Sequence, residues 1–171
     1  MLLVSGPFLA ACALLAWSGG AKIVRPGSTS TAARAVGLPS STAAVRAFGA
    51  VELGAACAGA AVGHAAALLV ACVYAGLALV AVRLLRRAPA APCGCLGASA
   101  APVSRAHVAL NIAAVLLAVA ASSGGAPLAG ITALPLAGVP FVVLVLCAAR
   151  LAALTIDMLP ALTRASGPGG Q

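Results

Sequence analysis

Two long apolar runs with almost no charge constrain this chain more than any other feature. Residues 1–21 contain no charged side chain, and residues 47–82 contain only Glu52. An α-helix rises about 1.5 Å per residue, so about 20 apolar residues span the hydrocarbon core of a bilayer. The runs consist mainly of Ala, Leu and Val and lack the alternation of polar and apolar residues that a membrane barrel requires. We therefore predict an all-α fold, a polytopic membrane helical bundle.

The composition excludes a water-soluble globule. Apolar residues make up 63% of the chain and charged residues only 7%, whereas a soluble domain carries about 25% charged residues. Aromatic residues are scarce, and small side chains allow helices to approach closely in lipid. The lipid bilayer is thus the first partner that we expect.

Turn-forming residues divide the first half of the chain. Pro26-Gly27 ends the first predicted membrane helix, and residues 26–45 are expected to form a loop with room for a short interfacial helix. A break at Gly63-His64 divides the next run into a predicted hairpin of residues 43–62 and 65–85.

The second half begins with a loop rich in Pro and Gly, residues 88–102, which cannot continue a helix. Ser104 is expected to cap a fourth helix over residues 105–123. A fifth membrane helix is predicted over about 134–159, followed by a disordered tail. Residues 1–123 would then form a four-helix core, and residues 124–171 an appended helix and tail.

The positive charges indicate how the bundle lies in the membrane. The formal net charge is +8, but the basic residues form short clusters between apolar runs rather than a continuous basic face, so we expect no nucleic-acid partner. Positive residues gather in cytoplasmic loops. This rule predicts a membrane protein with its N-terminus outside and its first and third loops in the cytosol. The clusters in these loops are Lys22, Arg25, Arg34 and Arg46, then Arg83, Arg86, Arg87 and Arg105.

Cys93 and Cys95 are the predicted catalytic residues, because they share a loop that water and partners are expected to reach. A disulfide across Cys-Gly-Cys closes a very small ring, and strained disulfides are the more oxidising ones. Gly94 is expected to supply backbone angles that a residue with a Cβ resists. Two alternatives stay open: a soft-metal site with His107 as a third ligand, and a turn with two idle thiols.

Glu52 is the other candidate, since a carboxylate within the membrane is costly unless it is paired or protonated. It is either a functional group or one half of a structural ion pair with Lys22 or Arg46. Lys22 is the expected partner, because Gly19-Gly20 would let the second helix approach closely.

Several further polar residues are predicted to support these sites. His107 lies near the cysteine loop and can hydrogen-bond or protonate a thiol. Asn111 is expected to make an interhelical hydrogen bond. Four cysteines within predicted helices are expected to act as small packing residues: Cys12, Cys57, Cys72 and Cys147.

Three landmarks occur in an order that resembles the MauE family, DoxX-like membrane proteins of methylamine utilisation. They are Gly19-Gly20-Ala21-Lys22, Val51-Glu52-Leu53-Gly54, and Cys93-Gly94-Cys95-Leu96-Gly97 before a helix with Leu110-Asn111. The family usually has Phe after the second cysteine and often Arg before the Asn, where this chain has leucines. The resemblance covers about residues 1–123 and implies a DoxX-like four-helix membrane protein linked to the production of active methylamine dehydrogenase, with a thiol-redox mechanism.

Three functions follow as hypotheses. The first is thiol-disulfide exchange at Cys93 and Cys95 with a thioredoxin-like partner; the others are a non-catalytic assembly protein and a small transporter that uses Glu52. No cofactor is indicated, since nothing in the residues supports a quinone or a soft metal. The first hypothesis must also explain how a cytosolic cysteine pair serves exported proteins across about 30 Å of hydrocarbon.

Overall fold

The computed structural model describes residues 2–94 and 102–124, together with Cys147 and Leu151. In residues 2–94 and 102–124 the regular structure is helical, with five helices and a single isolated bridge between Pro92 and Pro102. The helices are α1 (Leu2–Val24), α2 (Gly27–Ala35), α3 (Thr42–Val62), α4 (His64–Arg87) and α5 (Arg105–Ala121).

Three of these helices are long and apolar enough to cross a membrane, over Val4–Val24, Thr42–Val62 and His64–Arg87. The fourth predicted membrane helix, α5, is apolar but has only 17 residues. The predicted all-α membrane bundle is therefore confirmed. The predicted fifth helix and tail lie outside the described residues, apart from Cys147 and Leu151, which are both helical.

Gly63 alone separates α3 from α4, which confirms the predicted break of the hairpin. Its φ of 71° and ψ of −157° lie where a side chain is strained, and His64 follows with a φ of 42°. The chain can reverse here within one residue because Gly63 lacks a Cβ.

The connection between α1 and α3 contains the short helix α2, nine residues long, where the sequence left room for one. It ends near Gly37, which has a φ of 75°. Ser41 then caps α3, because its hydroxyl accepts a hydrogen bond of 3.2 Å from the amide of Ala44.

The start of α5 confirms the predicted cap at Ser104. The Ser104 amide donates to Nδ1 of His107 at 3.1 Å, and the Ser104 hydroxyl lies 2.9 Å from the same nitrogen. This arrangement is a capping box with histidine in the place usually held by Glu or Gln. The helix ends at Ala121, two residues earlier than predicted.

The main core lies between α1, α3, α4 and α5 and contains Phe8, Leu15, Val70 and many alanines. Tyr74 reaches across this core and donates a hydrogen bond of 2.6 Å to the carbonyl of Ala11. A second, smaller cluster lies beneath α2 at the other end of the bundle and consists of Ala32, Val36, Ala81, Leu84, Cys93 and Val103.

Candidate functional site

Lys22 of α1 and Glu52 of α3 form a buried ion pair, as the sequence predicted. The Lys22 ammonium donates to both carboxylate oxygens of Glu52, at 2.9 Å and 2.7 Å, and to the Ser18 hydroxyl at 2.5 Å. Ser18 in turn donates to Oε2 of Glu52 at 3.1 Å. The Lys22 side chain is 1% exposed and that of Glu52 0%. Each charge is therefore fully desolvated and met by hydrogen bonds from its partners.

Phe48 and Arg46 lie near this ion pair, but only Phe48 contacts it. The Lys22 ammonium lies 5.7 Å from the centre of the Phe48 ring, within the range of a cation–π contact. Arg46, the alternative partner of Glu52, instead donates from Nε to the carbonyl of Ile23 at 3.1 Å. Ser18 was not predicted from the sequence as part of this site. It lies four residues before Lys22, and both residues are therefore on one face of α1.

Glycines bring α1 and α3 together beside the ion pair. A Cβ on Gly19 would lie 2.5 Å from the Gly49 carbonyl oxygen, and a Cβ on Gly49 would lie 2.7 Å from the Gly19 oxygen. Gly20, which the sequence also assigned to this contact, has open space around it. The close approach therefore depends on Gly19 and Gly49.

Cys93 is buried rather than accessible, so the exposure predicted for it is wrong. Only 8% of its surface is exposed, because it packs in the cluster beneath α2. The segments on either side of the cysteine loop run side by side, with the Val103 amide donating to the Ala91 carbonyl at 3.3 Å. This pairing holds Cys93 against apolar side chains. Cys95 lies outside the described residues.

Gly94 adopts the positive φ that the sequence predicted, at 67°. It also lies directly against α2: a Cβ on Gly94 would come within 2.8 Å of the Thr29 Cα. The Thr29 hydroxyl donates to the Gly94 carbonyl oxygen at 2.7 Å. Thr29 carried no sequence signal, because the contact joins residues 65 positions apart.

His107 and Asn111 lie on the buried face of α5. The imidazole of His107 takes part in the capping box with Ser104, and the carbonyl of His107 accepts a hydrogen bond of 2.7 Å from the Asn111 amide. The interhelical hydrogen bond predicted for Asn111 is thus wrong, since the amide donates within its own helix. The suggested action of His107 on a thiol stays a prediction.

Of the cysteines within helices, only Cys12 packs in the core as predicted. Cys57, Cys72 and Cys147 are exposed on the outer surface, so the packing role expected for them is wrong. The five cysteines that the structure describes form no disulfide with one another. Within residues 2–94 and 102–124, no three His, Cys, Asp or Glu side chains gather as a metal site would require.

A cavity of about 360 Å³ lies between α2, α3 and α4 and connects the two candidate sites. Lys22 and Phe48 line one part of it, and Cys93 and Gly94 line another. Apart from Thr29, the remaining walls are apolar, and small residues such as Ala33 and Gly76 leave the space. No linear pattern reveals this cavity, because its walls come from five separate segments.

These features define a class of protein. It is a small, all-helical membrane protein with a buried Lys–Glu ion pair and a cysteine-glycine turn that is hydrogen-bonded to a short helix. The chain belongs to the family described as methylamine utilisation protein MauE, whose model matches residues 1–124. Membership associates the chain with methylamine utilisation at a membrane. Comparisons with curated proteins and with solved structures gave no match.

Proposed function

We propose that this chain is a membrane thiol-disulfide protein in which Cys93 and Cys95 exchange electrons with a thioredoxin-like partner. The observation that carries the proposal is the Cys93-Gly94 turn. Gly94 has a positive φ, and its carbonyl accepts a hydrogen bond from the Thr29 hydroxyl. The family description links the chain to methylamine utilisation, and the exchange would serve the disulfide chemistry of exported proteins of that pathway, with the cytosolic pair drawing reducing equivalents from its partner.

The exchange balances as an ordinary dithiol-disulfide reaction. A partner dithiolate attacks the Cys93–Cys95 disulfide through a mixed disulfide, and the second partner thiol then releases the reduced pair. The partner becomes oxidised by two electrons and the pair becomes reduced by two.

We further propose that the protein lies in the bacterial plasma membrane with its N-terminus outside and the cysteine loop in the cytosol. All eight basic residues in the described part belong to the end of the bundle that carries α2 and the cysteine loop, namely Lys22, Arg25, Arg34, Arg46, Arg83, Arg86, Arg87 and Arg105. Such an excess of positive charge marks the cytoplasmic side.

Single cysteines at the two ends of the bundle test this orientation. In a variant with every native cysteine replaced by Ser, Ala35→Cys places a thiol at the end of α2, and Ser123→Cys places one beyond α5; both positions are exposed. With an impermeant thiol reagent on intact cells, we expect labelling at position 123 only, and at position 35 after lysis. The reverse pattern would contradict the orientation.

Trapping of a mixed disulfide tests the exchange itself. The exchange is reversible, and in the reverse direction the Cys93 thiolate attacks the disulfide of an oxidised thioredoxin-like partner. Cys95→Ser removes the thiol that would then displace the partner, so the partner should remain covalently attached and migrate with the protein on non-reducing gels. Cys72→Ser on the outer surface is the matched control and should trap nothing. If both single variants, Cys93→Ser and Cys95→Ser, leave disulfide formation in exported proteins unchanged, the redox proposal fails.

The buried ion pair favours a second candidate, a non-catalytic assembly protein whose cysteine loop docks a partner. Here Lys22 and Glu52 would hold the bundle, and the thiols would be idle. This function predicts that Cys93→Ser keeps partner binding and methylamine dehydrogenase assembly, whereas the redox proposal predicts loss of assembly. The third hypothesis, a small transporter that uses Glu52, is tested by measuring substrate flux across the membrane in the Glu52→Gln variant. Retained flux would argue against transport.

A further inference from the structure

The cavity between α2, α3 and α4 lies away from the turn of the helical hairpin. Near that turn the two long helices pack tightly, since a Cβ on Gly59 would lie 2.7 Å from Cγ2 of Val70. Toward the other ends of the helices, Phe48 of α3 and Gly76 of α4 line the cavity, and both are exposed on the outer surface. Because exposed residues of membrane-spanning helices face lipid chains, the cavity is reached from the hydrocarbon.

The polar side chains of the cavity wall already have partners within the protein. The Lys22 ammonium donates to both carboxylate oxygens of Glu52. The Thr29 hydroxyl donates to the Gly94 carbonyl. Apart from these two residues and the thiol of Cys93, the side chains that line the cavity are hydrocarbon. The part of a ligand that enters the cavity is therefore expected to be hydrocarbon as well.

An acyl chain of the surrounding lipid has the chemistry that these walls fit. In a cavity of about 360 Å³ it would contact Phe48, Leu77 and Val80 and gain dispersion energy from each. The hydrophobic effect gives little preference between cavity and bilayer, because lipid chains are as apolar as the walls. Selection of one lipid over another must then come from its headgroup.

Two arginines flank the cavity and are placed to meet a headgroup. On α2, Arg34 follows Ala33, and on α3, Arg46 follows Val45; the two smaller residues both line the cavity. Both arginine side chains are exposed. The Nε of Arg46 donates to the Ile23 carbonyl at 3.1 Å, which uses one of the five N–H groups of the guanidinium. Guanidinium groups bind phosphate oxygens through paired hydrogen bonds.

We propose that the cavity binds one acyl chain of an anionic phospholipid whose phosphate pairs with Arg34 and Arg46. Within residues 2–94 and 102–124 the one acidic residue is Glu52, which is paired with Lys22. The exposed arginines therefore gain no counter-charge from the described part of the chain. A lipid of net negative charge complements them better than a zwitterionic one. This lipid site needs no reaction of a thiol, so it can fail without affecting the proposed function.

Quenching of a tryptophan in the cavity wall by brominated lipid tests the site. The chain has one tryptophan, Trp17, so Trp17→Phe removes the background and Phe48→Trp places a reporter at the opening. Val51→Trp is the matched control, because Val51 is exposed on the same helix but does not line the cavity. Each full chain is reconstituted in phosphatidylcholine bilayers with a small fraction of brominated phosphatidylglycerol or brominated phosphatidylcholine.

We expect brominated phosphatidylglycerol to quench Phe48→Trp at a mole fraction about fivefold lower than brominated phosphatidylcholine, and both lipids to quench Val51→Trp alike. A fivefold preference corresponds to about 1 kcal/mol. Arg34→Gln and Arg46→Gln should each lower the preference. Arg105→Gln should not, since α5 does not line the cavity. Equal quenching of Phe48→Trp by the two lipids, or the same preference in the control, would overturn the proposal.

Cavity-filling variants separate a chain in the cavity from a charge effect at the surface. A Cβ on Gly76 meets no atom within 4 Å, so Gly76→Leu adds a side chain to the wall without a clash, and Ala33→Leu fills the cavity from α2 if Gly76→Leu fails to fold. Gly54→Leu is the control, with equally open surroundings outside the cavity. In the Phe48→Trp background, we expect either filling variant to abolish the preference and Gly54→Leu to keep it. Full preference in both filling variants would overturn the cavity as the site.

Discussion

Lys22 and Glu52, 30 residues apart in the chain, meet through two hydrogen bonds of 2.9 Å and 2.7 Å in a site closed to water. Two opposite charges that are both desolvated depend on one another. Removing one partner leaves an uncompensated charge, which costs about 3–5 kcal/mol in buried pairs, whereas replacing both by apolar residues is often neutral.

This dependence predicts a double-mutant cycle with strong coupling. Lys22→Met and Glu52→Leu should each lower the thermal stability of the detergent-purified protein markedly, and the double variant should recover most of the loss. Arg46→Met is the control, since Arg46 is exposed and bonds only a backbone carbonyl among the contacts described for it. Additive losses in the double variant would contradict the coupling.

The contact between α1 and α3 predicts opposite results for adjacent glycines. Gly19→Ala places a methyl group 2.5 Å from the Gly49 oxygen and must push the helices apart, so we expect a loss of stability of about 1–3 kcal/mol. Gly20→Ala meets nothing and should be neutral or stabilising by up to about 1 kcal/mol, because alanine favours a helix. Thermal unfolding of the two variants side by side measures the difference, and equal effects would argue against the close contact.

The turn at Gly94 predicts that an added methyl group releases the cysteine loop from α2. Gly94→Ala combines a φ of 67° with a Cβ 2.8 Å from Thr29 Cα, so we expect faster reaction of Cys93 with a thiol reagent, measured with Cys95 replaced by Ser. Gly37→Ala has a similar φ of 75° but no neighbour within 4 Å, and thus isolates the backbone strain. A rise of the same size in Gly37→Ala would show that contact with α2 is not the cause.

The hydroxyl of Thr29 predicts a milder version of the same effect. Thr29→Val keeps the shape of the side chain but removes the hydrogen bond to the Gly94 carbonyl, worth about 0.5–1.5 kcal/mol. We expect Cys93 to react up to about tenfold faster, since that energy corresponds to a factor of this order. Thr31→Val, which loses a bond within α2 itself, should leave the rate unchanged.

The sequence was sufficient for the helices and for the ion pair, because both follow from local or charge-based rules. Apolar run lengths predicted α1, α3 and α4, glycine placed the break at Gly63, and a lone intramembrane acid required a cation such as Lys22. The burial of Cys93 was not predictable, because a loop rich in Pro and Gly ordinarily lies on the surface. Its burial depends on α2 folding over it, which is a long-range contact.

The cavity and the hydrogen bond from Thr29 to Gly94 were not predictable for the same reason. Each joins segments far apart in the chain, and small residues such as Ala33 and Gly76 leave no pattern that separates a cavity wall from ordinary helix packing. Asn111 shows a further limit, since a polar residue on a helix can satisfy its amide within its own backbone.

The one-residue reversal at Gly63 makes the described part of the molecule strongly one-sided. At that end only Gly63 connects α3 and α4. The opposite end contains α2, the hydrogen bond from Thr29 to Gly94, Cys93 and the cap of α5. At the Gly63 end, the described chain offers little polar surface for a soluble protein to bind. Recognition and electron delivery would then share a single face, so variation among relatives in choice of partner should concentrate there.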